Sequence, residues 1–263
     1  MTSRDSAVRI CVLYPELLGT YGDGGNARVL SRRLAWRDIA AEVHTVGAGE
    51  AVPDSCDLYL VGGGEDGPQT QAARELQASG ALHRAVDRGA VVFAVCAGMQ
   101  ILGSRFPDAD GIDRPGLGLL DCVTMRVDRP RAVGELLTTD ATVTGPGGST
   151  VPLGPLTGFE NHAGRTVAGS SAIALGRVEV GEGNGDGTEG VVTGRVIGTY
   201  LHGPALARNH RLADALLGLV VGADLLTPLD DADVEALRTE RQAAARRDRV
   251  GSGHDSLHRR RRP

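Results

Sequence analysis

The sequence contains no lysine, and all 28 of its basic side chains are arginine. Without lysine there is no complete GxxxxGK(S/T) phosphate loop, no pyridoxal Schiff base and no kinase-type catalytic lysine. Any ATP-dependent step is therefore expected to belong to a partner. The arginine bias itself reads as GC-rich coding. Long apolar runs are missing too. No window approaches the roughly 18 consecutive apolar residues needed to span a bilayer, and the opening MTSRDSAVR lacks the apolar core of a signal peptide. The expected location is the cytoplasm. Cysteine is scarce and unpaired in pattern: Cys11, Cys56, Cys96 and Cys122 form no CxxC and have no His at zinc-finger spacing. A structural metal site is not expected, and in a reducing compartment the four are expected as free thiols. Positive charge is in deficit. A net charge of -5 argues against a nucleic-acid-binding body. The one basic concentration is residues 246–263, which carry Arg246, Arg247, Arg249 and a closing arginine run among Gly, Ser and His, and read as a solvated, disordered tail from 248 to 263.

What is present is enough for a substantial core, with 41% hydrophobic residues in 263. Residues 8–13 form a short apolar run, and after a Gly-rich turn residues 26–37 carry helical periodicity through Val29, Leu30, Leu34 and Trp36. Further strands are predicted at 42–46 and at 58–61, the second ending in Gly62-Gly63-Gly64. Residues 71–88 predict one or two helices broken near Gly80, and 91–95 a fully buried strand. Alternating strands and helices over a hundred residues predict an α/β fold with a mostly parallel, doubly wound sheet flanked by helices. From 116 to 196 the pattern changes to short β-prone runs such as 122–127, 141–144 and 173–180, and 181–190 reads as a mobile surface hairpin loop. Helices at 205–221 and 230–247 close the chain, the second capped by Asp230 or Asp231.

The chemistry is expected where a strand meets a helix at Val95-Cys96-Ala97-Gly98-Met99-Gln100. A tight turn there lifts one side chain clear of the sheet, which is the outline of a nucleophile elbow. Cys96 would also sit over a helix N-terminus, whose partial positive charge favours thiolate. An acyl-transfer thiol needs a base and oxyanion donors. His202 supplies the candidate base, at the end of a strand in Gly198-Thr199-Tyr200-Leu201-His202-Gly203-Pro204. The backbone N–H groups of Gly64 and Ala97 are the candidate oxyanion donors.

These stretches resemble class I glutamine amidotransferases, Cys96-Ala97-Gly98-Met99-Gln100 matching their nucleophile signature and His202 falling at the expected place. Familiar members carry His-Pro-Glu, where the Glu orients the His; here the order is His202-Gly203-Pro204, with no acid. That departure points to the cobyric-acid-synthase-like branch, in which a Cys–His dyad is common. Within it the chain is most similar to the GatD family of glutaminase subunits of lipid II isoglutaminyl synthase, over nearly the whole chain up to about Arg247. The residues that carry this are Tyr21-Gly22-Asp23-Gly24-Gly25-Asn26, Gly62-Gly63-Gly64-Glu65-Asp66, Gly158-Phe159-Glu160-Asn161-His162-Ala163-Gly164-Arg165-Thr166 and the His202 stretch.

The resemblance implies one amidotransferase domain over 1–247 that hydrolyses L-glutamine, with Cys96 and His202 catalytic and Arg131 and Gln100 contacting the substrate. It implies no cofactor in this chain, and a heterodimer with a MurT-type ATP-dependent ligase that holds ATP and Mg and amidates the D-glutamate of a lipid-linked peptidoglycan precursor. Two other readings remain open at this stage: a corrinoid side-chain amidotransferase subunit, and a catalytically dead amidotransferase-like scaffold favoured by the missing acid.

Overall fold

The computed structural model describes residues 6–20 and 22–259, with the backbone alone at Pro146 and 248–259. Its first hundred residues wind as β1 (Val8–Leu13), α1 (Gly25–Ala35), β2 (Ala41–Val46), β3 (Leu58–Val61), α2 (Asp66–Ser79), α3 (Ala81–Asp87), β4 (Val91–Val95) and α4 (Ala97–Leu102). Short strands follow: β5 (Arg105–Pro107), β6 (Asp113–Pro115), β7 (Cys122–Arg126), β8 (Ala132–Thr139), β9 (Ala141–Thr144), β10 (Thr150–Gly154), β11 (Thr157–His162), β12 (Gly164–Ala168), β13 (Gly176–Val180) and β14 (Thr188–Glu189). The chain then returns to the central sheet through β15 (Val191–Thr193) and β16 (Val196–Thr199), and ends in α5 (Ala205–Arg208), α6 (His210–Val221) and α7 (Ala232–Arg259).

The central sheet has the order β15-β16-β4-β3-β1-β2, with every pairing parallel except the β15 edge. β3, β4 and β16 are buried along their whole length, because helices cover both faces of a parallel sheet and an all-apolar run is what such a strand requires. The C-terminal ends of these three strands carry Gly62–Gly64, Cys96 and His202 in turn. The β-prone middle of the sequence builds two four-stranded sheets, β11-β8-β13-β14 and β12-β7-β5-β6, and the hairpin β9–β10. β11 packs on α5 and bridges to His202, β10 packs on α6, and β5 packs on α4.

Three expectations change. The single helix at 205–221 is two, because Asn209 leaves helical geometry (φ -133°, ψ 69°) and uses its side chain on Thr157 and Ala205 instead. The stretch 181–190 is packed rather than a solvated loop: Asn184 and Glu189 are buried, and the N–H groups of Glu182 and Gly183 donate to the Glu160 carboxylate at 2.7 and 2.9 Å. A glycine-rich turn of this kind gathers N–H groups that an anion can occupy, and here the protein's own Glu160 does so. The last helix begins at Ala232, with the Asp230 carboxylate accepting from its N–H, and its backbone continues through Arg259. The basic segment 248–263 therefore lies partly in that helix and partly, at 260–263, outside the described residues.

A buried ionic cluster fastens the end of the chain to its beginning. Arg33 of α1, 3% exposed, makes a bidentate pair with Asp214 of α6 at 2.6 and 2.7 Å and another with Asp231, just before α7, at 2.8 Å. Among the described residues no helix is long and apolar enough to cross a membrane.

Candidate active site

Cys96 sits at the corner between β4 and α4 with φ 49° and ψ -108°, a conformation that non-glycine residues rarely hold and that must be imposed by its surroundings. Three backbone bonds impose it: Cys96 N–H donates to Thr199 O at 2.8 Å, Gly98 N–H to Gly62 O at 3.1 Å, and Gln100 N–H to Cys96 O at 3.0 Å. Gly98 is obligatory here, since a Cβ would meet Val61 O at 2.5 Å and Gly62 O at 2.8 Å. The elbow is thus held against the ends of two neighbouring strands, as the residue pattern predicted.

His202 follows β16, and its main chain pairs with Phe159 of β11 in both directions, at 2.8 and 3.2 Å. The sequence beyond it, Gly203-Pro204-Ala205, then docks on the start of α1. The Pro204 ring packs on Gly25, and Asn26 Oδ1 accepts from Leu206 N–H at 3.0 Å. This docking brings Asp23, two residues before α1, to the imidazole: Oδ2 lies 3.5 Å from His202 Nδ1, with both side chains almost fully buried. The same oxygen accepts from Gly63 N–H at 2.8 Å. Where the linear motif has Gly203-Pro204 in place of an acid, the fold supplies one from a segment 179 residues upstream, by the difference of the two residue numbers.

The Cys96 sulfur and the Asp23 carboxylate are the two groups that act on the imidazole. Burial by itself would depress His202, but the Asp23 carboxylate and the Cys96 sulfur outweigh it and hold the imidazole up at about 9 against its ordinary 6.5. A proton is therefore stabilised on His202, which is what a thiolate–imidazolium pair requires.

The triple glycine is explained by close approach. A Cβ on Gly63 would stand 2.6 Å from His202 Cε1, 3.2 Å from Asp23 Oδ2 and 3.4 Å from Cys96 Cβ, while Gly62 and Gly64 press against the carbonyls of Leu18 and Leu17. Only bare backbone fits between the three side chains and the loop that follows β1.

A cavity of about 660 Å³ opens over Cys96, and Gly64, Ala97, Gln100 and Arg131 line it with Asn161 and the 126–131 loop. That volume falls within the usual range for small-molecule sites. Both candidate oxyanion residues thus line the same cavity as Cys96, whereas Gly63 N–H is engaged by Asp23. Arg131 directs Nε onto Asn161 Oδ1 and Nη2 onto Asn161 O at 3.1 Å. Gln100 is at the wall, but its amide is committed internally: Oε1 accepts from Gln69 at 2.8 Å and Nε2 donates to the Tyr200 hydroxyl at 3.2 Å. In this arrangement it braces α4 against α2 and the end of β16. Tyr200 in turn bonds Thr166 at 2.7 Å and stacks on His162 with ring centroids 3.7 Å apart, so the floor of the site is a closed polar network.

Sequence reasoning missed Asp23 as a site residue. The signal was there in Tyr21-Gly22-Asp23-Gly24-Gly25-Asn26, where an acid stands in a turn at the C-terminal end of the first strand, the end at which open α/β sheets build their sites. It also missed Gly63, whose role is visible only once the three side chains surround it.

The CobB/CobQ-like glutamine amidotransferase domain family matches residues 9–210. The chain is 35% identical to the lipid II isoglutaminyl synthase (glutamine-hydrolyzing) subunit GatD of Staphylococcus aureus, across 76% of this chain and 79% of that protein. It is 31% identical to the Streptococcus pneumoniae GatD subunit across 84% and 85%. Cobyric acid synthase of Azorhizobium caulinodans is 32% identical over 68% of this chain but only 35% of its own length. A crystal structure of a glutamine amidotransferase shares the fold, with a TM-score of 0.54 over 80% of this chain and 98% of that one, at 22% identity. The elbow cysteine, its buried imidazole and these relatives together place the chain in the CobB/CobQ-like glutamine amidotransferase family, among the GatD-type members.

Proposed function

We propose that this chain is the glutaminase subunit of a two-protein lipid II isoglutaminyl synthase. It releases ammonia from L-glutamine, and a MurT-type ATP-dependent ligase, holding ATP and Mg, uses that ammonia to amidate the D-glutamate carboxylate of the lipid-linked peptidoglycan precursor. The observation that carries the hydrolytic half is the buried Cys96–His202–Asp23 constellation, of which Cys96 lines the cavity.

The Cys96 thiolate attacks the side-chain amide carbon of glutamine, and the N–H groups of Gly64 and Ala97 stabilise the resulting oxyanion. His202, protonated on the ring and oriented by Asp23, gives its proton to the leaving amine, so that ammonia departs and a glutamyl thioester remains. Neutral His202 then takes a proton from water, the hydroxide adds to the thioester carbon, and glutamate leaves as the thiolate and the imidazolium are restored. Arg131 holds the substrate's α-carboxylate, for which a guanidinium fork is the natural partner. Gln100 shapes the wall through its bonds to Gln69 and Tyr200.

The ligase half rests on the GatD relatives, which match over most of their length, whereas the cobyric acid synthases match over about a third of theirs. The scaffold reading loses its motive, since the acid missing after His202 in the sequence stands beside it in space. Physical docking follows from the chemistry: an amine with a pKa of about 10 is almost wholly protonated in neutral water and is then no nucleophile, so ammonia must be handed over out of contact with solvent. The partner's face is expected at the mouth of the Cys96 cavity near Glu65 and Asp66, and the pair works in the cytoplasm, where ATP is available.

Two measurements test this. Cys96→Ala should abolish glutamate release with an unchanged far-UV spectrum, and a Cys96→Ala protein that still turned over glutamine would refute the mechanism. Co-expression with a MurT-type ligase should give one gel-filtration peak holding both chains in equal amounts and supporting glutamine-dependent amidation of lipid II. Separate migration together with no amidation would end the ligase assignment while leaving the glutaminase intact.

A further inference from the structure

Asn161 stands between the nucleophile and the arginine of the cavity. It lies in β11, paired in antiparallel register with Val133, and the neighbouring pair Ala132–His162 sets Arg131 beside its peptide group. Its main-chain oxygen lies 3.9 Å from the Cys96 sulfur and accepts from Arg131 Nη2 at 3.1 Å, and its side-chain oxygen accepts from Arg131 Nε. One residue therefore touches both ends of the site: the sulfur that attacks the amide carbon and the cation that meets the α-carboxylate.

The geometry points to Asn161 as the specificity-determining positioning residue of the glutaminase, setting the spacing and direction of the Arg131 fork relative to the Cys96 sulfur so that the site measures the distance from carboxylate to amide in glutamine. The inference rests on the reading of Arg131 given above. Three features argue for it. Arg131 is exposed, and an exposed arginine otherwise samples many rotamers, which would cost affinity each time it was ordered by substrate. Asn161 occupies the side-on edge of the guanidinium, Nε with Nη2, which directs the end-on edge, Nη1 with the second hydrogen of Nη2, at a carboxylate that accepts two parallel bonds. An amide, finally, is the side chain suited to the task. It accepts from the guanidinium without cancelling its charge, where a carboxylate would form a salt bridge and compete with the substrate.

The test is glutaminase kinetics of the full chain, alone and with its ligase, for Asn161→Ala, Asn161→Asp, Arg131→Ala and the double variant Asn161→Ala/Arg131→Ala. Asn161→Ala should raise KM for glutamine about tenfold or more, the ordinary size for loss of a hydrogen bond to a charged group, with kcat within about twofold, since the peptide oxygen near the thiol remains. Asn161→Asp should raise KM at least as far. The double variant should be no worse than Arg131→Ala, because the two act as a unit. Turnover of 4-aminobutanamide, which is glutamine without its carboxylate, should be unchanged by Asn161→Ala. If a variant turns over too slowly to assay, calorimetric titration of glutamine into the same substitution made on Cys96→Ala reads the affinity directly. A normal KM or Kd in Asn161→Ala, with a raised one in Arg131→Ala, overturns the role of Asn161 and leaves the glutaminase reading standing. A fall in kcat at unchanged KM also overturns it. An unchanged KM in Arg131→Ala instead removes the carboxylate clamp on which the inference rests.

Discussion

Replacing Asp23 with Asn tests the structure's main addition to the sequence. The substitution keeps size and an acceptor for Gly63 N–H, and removes the charge beside His202. At 3.5 Å, a unit charge pair at an effective dielectric near 20 is worth about 5 kcal/mol, of which burial of the imidazole takes back a part. The net result is His202 at about 9 instead of 6.5, a shift worth about 3 kcal/mol. The nearby Asp23 carboxylate is foremost among the groups that raise it, and the Cys96 sulfur supplies the rest. Assigning Asp23 half or more of the effect gives roughly 10- to 100-fold in kcat/KM. The sign is fixed by linkage. A raised imidazole pKa means the protonated, oriented His202 persists below the folded value and is lost as pH rises through about 9. The assay is kcat/KM for glutamine from pH 6 to 10, on the wild type and Asp23→Asn. The wild type should show an alkaline limb near 9, and the variant a lower plateau with its limb displaced toward 6.5. An Asp23→Asn enzyme within about twofold of wild type, with its limb unmoved, would refute the claim that this carboxylate orients the base.

Other perturbations have distinct signatures. Gly63→Ala places a Cβ 2.6 Å from His202 Cε1, so kcat should fall at least tenfold while the melting temperature changes little; a fully active Gly63→Ala would mean the imidazole can move aside without cost. Arg33→Ala removes the cation shared by Asp214 and Asp231 and leaves Asp214 with Arg37, so urea unfolding should show a loss of about 1.5–3 kcal/mol, with glutaminase activity of the folded fraction unchanged. Glu189 is fully buried, and burial pushes its carboxyl up to about 7 although the Thr199 hydroxyl and the Tyr200 N–H donate to it. A carboxyl whose folded pKa is raised above its unfolded value of 4.5 makes stability fall as pH climbs from 4.5 through about 7. Melting curves between pH 5 and 8 should lose that slope in Glu189→Gln, and an identical slope in both proteins would count against a protonated Glu189.

The elbow at Cys96 was legible in the linear sequence because its placement is local. An all-apolar run ending in Cys96-Ala97-Gly98 can only be a buried parallel strand entering a helix, and the elbow follows from small residues within three positions of the thiol. His202 was legible for the same reason, as the polar end of another buried strand, and the order of strands and helices through residue 102 was set by apolar periodicity. Asp23 was not legible as a partner of His202, because nothing in a sequence records which loops share the end of a sheet. That was decided by parallel order, which sets β1, β3, β4 and β16 side by side, and by Pro204 and Asn26 docking the last helices on the first. Arg131 and Asn161 likewise meet through an antiparallel register 30 residues apart, and Asn184 and Glu189 became core because a turn of glycines folded back on Glu160. Local chemistry is written in neighbours along the chain. The acid beside His202, and the contact between Arg131 and Asn161, were chosen by packing.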